Sequence, residues 1–238
     1  MFRWLMVPLL LLASGCALPR SYQADENFTD PATVEFARAI EAGSTQRVEQ
    51  LLAAGADPDA GERRLTLAKW AVLMGELDSL KALLAAGADP DATGAGGRPL
   101  LFEAVRTRDR AYVEAVLEAG ADPGIRHPGS RTYVLHEACT FPERSVLELL
   151  IPVVPDLNAT DPEGVTALHG CGVANQGALV LLLLDSGADP FATDNSGRTF
   201  QDGYFNWDKG LLNERATAER NAVIAWLEDR GIPVDPRA

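Results

Sequence analysis

A four-residue unit, Gly-Ala-Asp-Pro, occurs at residues 55–58, 87–90, 120–123 and 187–190 of the 238-residue chain. A fifth copy, Val154-Pro155-Asp156-Leu157-Asn158, has lost its glycine. The aspartates fall at 57, 89, 122, 156 and 189, in steps of 32, 33, 34 and 33. A period of that length means one supersecondary motif used over and over. Such a motif cannot bury its apolar face alone, so it is stable only when stacked on its neighbours.

Between the Gly-Ala-Asp-Pro units the chain reads as helix pairs. Leu77, Leu80, Leu83 and Leu84 share one face of a helix. Gly87 follows, where a left-handed residue relieves the last carbonyls. Pro90 then stops the helix resuming. The same spacing returns with Val113, Val116 and Leu117, with Val146, Leu149 and Leu150, and with Leu179, Leu182, Leu183 and Leu184. A second motif opens the preceding helix: Pro99-Leu100-Leu101-Phe102-Glu103-Ala104, Tyr133-Val134-Leu135-His136-Glu137-Ala138 and Thr166-Ala167-Leu168-His169-Gly170-Cys171. Thr66-Leu67-Ala68-Lys69-Trp70-Ala71 is a weaker version.

These motifs, at this period and in this order, resemble the ankyrin repeat, whose pattern is Thr-Pro-Leu-His-x-Ala, a glycine turn, a helix ending Leu-Leu, and Gly-Ala-Asp. The resemblance implies an all-α ankyrin-repeat solenoid, helix–turn–helix units joined by β-hairpin loops. It covers residues 30–238 in about six repeats, the terminal ones degenerate caps. Residues 33–41 and 45–53 form the first cap. The last unit carries about eleven extra residues near 204–210, before a helix over roughly 213–230. The family's His position is occupied by His136 and His169. There the resemblance implies a structural imidazole that bonds the neighbouring hairpin and ties repeats together.

The N-terminus has Arg3, an apolar run over residues 4–13 and then Ser14-Gly15-Cys16. One positive charge, a short apolar run and small residues make an export signal over residues 1–15. A membrane span would need roughly 20 apolar residues. Leu12-Ala13-Ser14-Gly15-Cys16 also resembles a bacterial lipobox, which implies lipidation at Cys16 and a palmitate-type anchor. Ala17, not Asp, follows the cysteine, and by the same resemblance this implies the outer membrane, facing the periplasm. The alternative is an ordinary cleaved signal with a chance cysteine. Residues 16–29 lack apolar periodicity and read as a polar tether.

Lys plus Arg number 21 against 34 Asp plus Glu, a net charge of −13. That excludes general phosphate-backbone recognition, so no nucleic acid is expected. Such a surface steers a basic partner faster than a neutral one. There are 3 cysteines and 3 histidines, without zinc-site spacing. The recurring aspartates read as turn residues, since no calcium-loop spacing accompanies them. Gly94-Ala95-Gly96-Gly97 is followed by Arg98-Pro99, not by a phosphate-binding Lys-Ser or Lys-Thr. No catalytic residue, metal, cofactor or small-molecule substrate is expected, and the chain does not read as an enzyme. Cys139 and Cys171 read as small buried side chains or as a bridge between adjacent repeats. Helices stacked 8–10 Å apart favour the reduced form.

The concave face of a solenoid is its binding surface. Trp70, Leu73, Met74, Arg106, Phe141 and Val173 fall where that face is expected, and we read them as the centre of a protein-binding surface. Arg63, Arg64, His127, Arg131 and Asn195 on the hairpins form its polar rim. Packing of Trp70 and Phe141 into the stack is the competing reading. Tyr204, Phe205 and Trp207 are a second candidate patch, with capping of the stack as their other role. The expected function is a lipid-anchored periplasmic protein–protein interaction module, in one version an inhibitor or immunity-like protein. An envelope scaffold or assembly factor with several weak clients is the alternative, and an enzyme using scattered carboxylates is a third.

Overall fold

The computed structural model describes residues 23–62, 65–93 and 97–238. The signal segment, Cys16, Arg63 and Arg64 lie outside the described residues. The chain forms two compact units that divide between Asp122 and Pro123. No helix among the described residues is long and apolar enough to cross a membrane.

The first unit contains α1 (Ala24–Asn27), α2 (Pro31–Glu41), α3 (Thr45–Ala53), α4 (Leu67–Met74), α5 (Leu77–Ala85), α6 (Leu100–Thr107) and α7 (Arg110–Glu118). A short antiparallel hairpin, β1 (Gly61–Glu62) and β2 (Leu65–Thr66), pairs Gly61 with Thr66 and Glu62 with Leu65. The second unit contains α8 (Val134–Thr140), α9 (Arg144–Leu150), α10 (Ala167–Val173), α11 (Gly177–Asp185), α12 (Phe200–Tyr204) and α13 (Glu214–Glu228), with a 3₁₀ turn at Lys209–Leu211. The helix pairs and loops implied by the ankyrin resemblance are therefore present in both units.

Four of the five motif copies punctuate the chain in the same way. Gly55, Gly87, Gly120 and Gly187 have φ between 89° and 98°, the left-handed cap that a Cβ would strain. The aspartate of each motif then closes its own turn. Asp57, Asp89, Asp156 and Asp189 accept the backbone N–H two residues on, at 2.8–2.9 Å. Residues at that second position reach the next repeat. Asp59 accepts from the Asp89 N–H at 2.7 Å, Asp91 from Asp122 at 3.0 Å and Asn158 from Asp189 at 2.8 Å.

A second set of bonds starts from the fourth residue of the helix-opening motif. In His136, Nδ1 accepts from the Tyr133 N–H at 3.3 Å, and Nε2 lies 2.8 Å from the Val165 carbonyl. In His169, Nδ1 accepts from Thr166 at 3.2 Å, and Nε2 lies 2.9 Å from the Arg198 carbonyl. Because Nδ1 accepts, the proton sits on Nε2 and is donated to the carbonyl of the next repeat. In the first unit the position is filled by Lys69, which reaches the Thr93 carbonyl at 3.0 Å, and by the buried, apolar Phe102. Asp202 fills it in the last repeat, accepting from Thr199 N–H at 2.8 Å and from Arg237 at 2.8 Å.

Two expectations are corrected. The expected polar tether over residues 16–29 includes a short helix, α1, at Ala24–Asn27, and residues 16–22 lie outside the described residues. Ala24 and Phe28 are buried, Phe28 meets the Trp70 ring edge-on at 5.6 Å, and Glu62 accepts from Thr29 and Asp30. Two apolar anchors four residues apart were hidden in a polar segment. Secondly, Cys139 and Cys171 form a disulfide with their Cα atoms 4.8 Å apart. The 8–10 Å between helix axes is not the Cα separation. Each Cα lies about 2.3 Å off its axis, so facing residues approach about 3.4–5.4 Å.

The bridge spans 32 residues, for which the loop-closure account gives about 2–4 kcal/mol. Cys139→Ser with Cys171→Ser, or reduction of the native chain, should lower the urea midpoint correspondingly. Thiol titration of the unreduced chain should find neither cysteine free; two free thiols would refute the bridge.

The Asp194 carboxylate gives a pH dependence. Hydrogen bonds from the Arg198 backbone and side chain, with a further one from Ser196, hold it at about 2, against an ordinary 3.8. A depressed carboxylate contributes stability above its unfolded value and loses it as pH falls through the folded one. The gap in urea midpoint between the native chain and Asp194→Asn should therefore be widest above pH 4 and narrow toward about pH 2. A gap constant with pH would refute this role.

Candidate functional site

In the first unit, Trp70 is 1% exposed, and its indole N–H donates to the Ala37 carbonyl at 3.0 Å. Met74, one turn on, is also buried. The face of α4 that carries both is packed inside the unit, so neither offers a docking surface; this corrects the expectation for both. Helical period alone does not say which of two apolar faces is turned to a neighbour. Leu73 remains half-buried. Arg106 is partly exposed beside Glu103 at 3.5 Å, and Arg98 approaches the same carboxylate at 3.7 Å.

Lys69 was not singled out in the sequence, yet it ties its helix to the loop of the next repeat. It is 3% exposed, and burial pushes its ammonium below the ordinary lysine range, with the Glu103 carboxylate opposing. Its alignment with His136 and His169 was the available signal.

In the second unit, Val173 at the end of α10 is 62% exposed. The Trp207 indole N–H donates to the Val173 carbonyl at 3.1 Å, while its ring is left 45% exposed. Leu211 of the adjoining 3₁₀ turn is 80% exposed. The loop that carries Trp207 is fixed from beneath. Arg220, itself buried, donates to the Phe205 carbonyl at 3.2 Å and the Arg237 carbonyl at 2.6 Å. Its guanidinium lies 4.9 Å from the Phe205 ring centroid. Tyr204 and Phe205 are buried, so of the three C-terminal aromatics only Trp207 reaches solvent.

Phe141 is half-buried and Arg131 exposed. His127 is committed to its own loop: Nδ1 accepts from Gly129 and Ser130, both at 3.0 Å. Asn195 is exposed but spans two hairpins, donating to the Pro162 carbonyl at 3.0 Å. The predicted set is thus divided. Val173 and Arg131 are open, Leu73, Arg106, Phe141, His127 and Asn195 are partly engaged, and Trp70 and Met74 are core.

A cleft of about 310 Å³ opens within the second unit, between residues 123–133 and residues 154–160. Gly124, Arg126, Tyr133, Pro155, Asp156 and Asn158 line it. The Arg126 Nε donates to the Tyr133 hydroxyl at 2.7 Å, and its guanidinium lies 4.8 Å from that ring's centroid. Among the described residues no group of three His, Cys, Asp or Glu side chains has a metal-binding arrangement.

Comparison with known proteins gives a consistent picture. Residues 101–194 match the family model for ankyrin repeats, in three copies. No curated protein sequence matches the chain. Among solved structures, the ankyrin-repeat domain of Bcl-3, a member of the IkappaB family, superposes with a TM-score of 0.63 at 24% identity, covering 71% of this chain and 78% of that one. The ankyrin-repeat protein EF0377 gives 0.66 at 21% identity, covering 80% and 96%. A chain from the complex of the Bdellovibrio bacteriovorus predatory endopeptidase Bd0816 with the immunity protein Bd3460 gives 0.62 at 24% identity, covering 79% and 92%. The fold is that of ankyrin-repeat proteins, and residues 101–194 carry the repeat in their sequence as well.

Proposed function

We propose that this chain is a protein–protein interaction module, exported and held at the envelope by a lipid on Cys16, that binds and restrains a partner protein. One observation carries the binding role: Val173 and Trp207 stand exposed yet tied to each other and to a buried arginine. Adjoining apolar side chains left exposed, as Val173, Trp207 and Leu211 are, favour a docking role. Trp is among the residues that dominate interface energetics. Because Arg220 already fixes the loop, little ordering entropy is lost on binding.

The Cys139–Cys171 bridge supports the exported reading, because disulfides persist in oxidising compartments. The lipobox-like residues ending at Cys16 support the anchor. The immunity-like version draws support from the fold shared with a chain of the endopeptidase–immunity protein complex. In that version the chain covers a secreted enzyme by surface complementarity and performs no chemistry itself.

Two experiments test this. Val173→Glu combined with Trp207→Ala should leave the thermal midpoint of the native chain nearly unchanged. The same pair should abolish stoichiometric capture of one envelope protein by immobilised chain. Capture that survives the double variant would move the interface elsewhere. Separately, radiolabelled palmitate should enter the native chain and not the Cys16→Ser variant. Equal labelling of the two, or none in either, would remove the anchor from the proposal.

A further inference from the structure

The hairpins carry an internal template for a ligand. In three repeats the side chain two positions after the motif aspartate accepts the backbone N–H of the next motif aspartate. These are Asp59 on Asp89, Asp91 on Asp122 and Asn158 on Asp189. The corresponding residue before Asp156 is Gly124, which has no side chain. The Asp156 N–H therefore lacks the acceptor that its counterparts have, and the 310 Å³ cleft opens at that place, lined by both residues.

A cation stands beside the gap. Arg126 uses Nε on the Tyr133 hydroxyl and its face on the Tyr133 ring. The Tyr133 ring is in turn stacked on His136, interplanar angle 27°. The guanidinium is thereby oriented. Its two terminal amino groups have no protein partner among the described residues, and no carboxylate pairs with it. The Asp156 carboxylate accepts from the Asn158 N–H within its own turn. A backbone N–H without its usual acceptor and a fork of guanidinium donors in one cleft are complementary to a carboxylate.

We propose that this cleft receives the carboxylate of an acidic side chain, Asp or Glu, presented by a protein partner. The incoming carboxylate occupies the place that Asp59 and Asp91 fill in their own repeats, and Arg126 clamps it from the side. Pro155 and Tyr133 form the walls against which the flanking peptide lies. The inference rests on the protein-binding reading for its occupant, and it is independent of the Val173–Trp207 patch. It also refines the expectation from net charge: an acidic surface steers basic partners, whereas this cleft selects one acidic side chain locally.

The probe is the blocked peptide Ac-Ala-Glu-Ala-NH₂, titrated into isotope-labelled native chain while the Asp156 amide and Arg126 Nε resonances are followed. Saturable movement of both is expected. Ac-Ala-Gln-Ala-NH₂ should bind about tenfold more weakly or not at all, in line with loss of a charge-assisted pair. Arg126→Gln should weaken the Glu peptide by about the same factor. Gly124→Asp supplies the carboxylate from within, so it should shift the Asp156 amide without peptide and abolish the response. The Val173→Glu, Trp207→Ala chain should respond as the native one does, which separates failure here from failure of the patch. An equal response to the Gln peptide, or none to either peptide, overturns the proposal. So does a response unchanged in Arg126→Gln, or acetate binding as tightly as the Glu peptide.

Discussion

In most repeats of this protein, backbone polar groups of the loops are met by side chains from the preceding repeat. The carbonyls of Thr93, Val165 and Arg198 are met by Lys69, His136 and His169, side chains that start one repeat earlier. The N–H groups of Asp89, Asp122 and Asp189 are met by Asp59, Asp91 and Asn158. A polar group buried without a partner costs about 1–3 kcal/mol, more than a typical hydrogen bond adds. These contacts therefore act chiefly as a condition on register. A repeat stacked wrongly risks that cost at the partly buried carbonyls of Thr93, Val165 and Arg198, whereas the exposed aspartate N–H groups would turn to water.

Charge pairs do not carry this load. Arg110–Glu114, Arg144–Glu148 and Arg215–Glu219 are four residues apart on helix surfaces, and their arginines are well exposed. Exposed pairs of that kind contribute about 0.3–0.5 kcal/mol each. In all three the arginine precedes the glutamate, the weaker order against the helix dipole. The disulfide is different in kind. It joins α8 to α10 within the second unit. Lys69 shows the cost side of the same design. The family's position for an imidazole holds an ammonium that burial disfavours, and the first unit accepts that cost to reach a more distant carbonyl.

The helix pairs, their glycine caps and the role of His136 and His169 were legible in the sequence, because period, cap and motif constrain the same residues from three directions. Features that depend on distance between elements were less legible. Interaxial spacing pointed to reduced cysteines, whereas the bridge depends on Cα atoms on facing surfaces. Trp70 and Met74 were placed on the right helix but on the wrong side of it, since α4 is apolar nearly all round. Phe28 was missed because one aromatic in a polar segment has no periodicity to mark it. Val173 was recognised for a simple reason: it is an apolar residue where the repeat pattern wants a polar one.

Trp207 illustrates how an insertion can present an apolar ring in a repetitive fold. The regular repeat has no room for variation in its buried bonds, so novelty enters where extra residues leave the stack. The extra segment could have been a loose loop. Instead the buried Arg220 gathers the carbonyls of Phe205, Trp207 and Arg237, from two stretches of chain. A guanidinium can do this because its donors form a planar fork, which lysine lacks. Carbonyls take the hydrogen bonds of both terminal nitrogens of Arg220, and the Asp235 carboxylate adds a favourable charge interaction. The result is an indole held at its N–H by Val173 with its ring in water. An apolar group presented in that way keeps its binding energy for the partner, because its conformational cost was met when the chain folded.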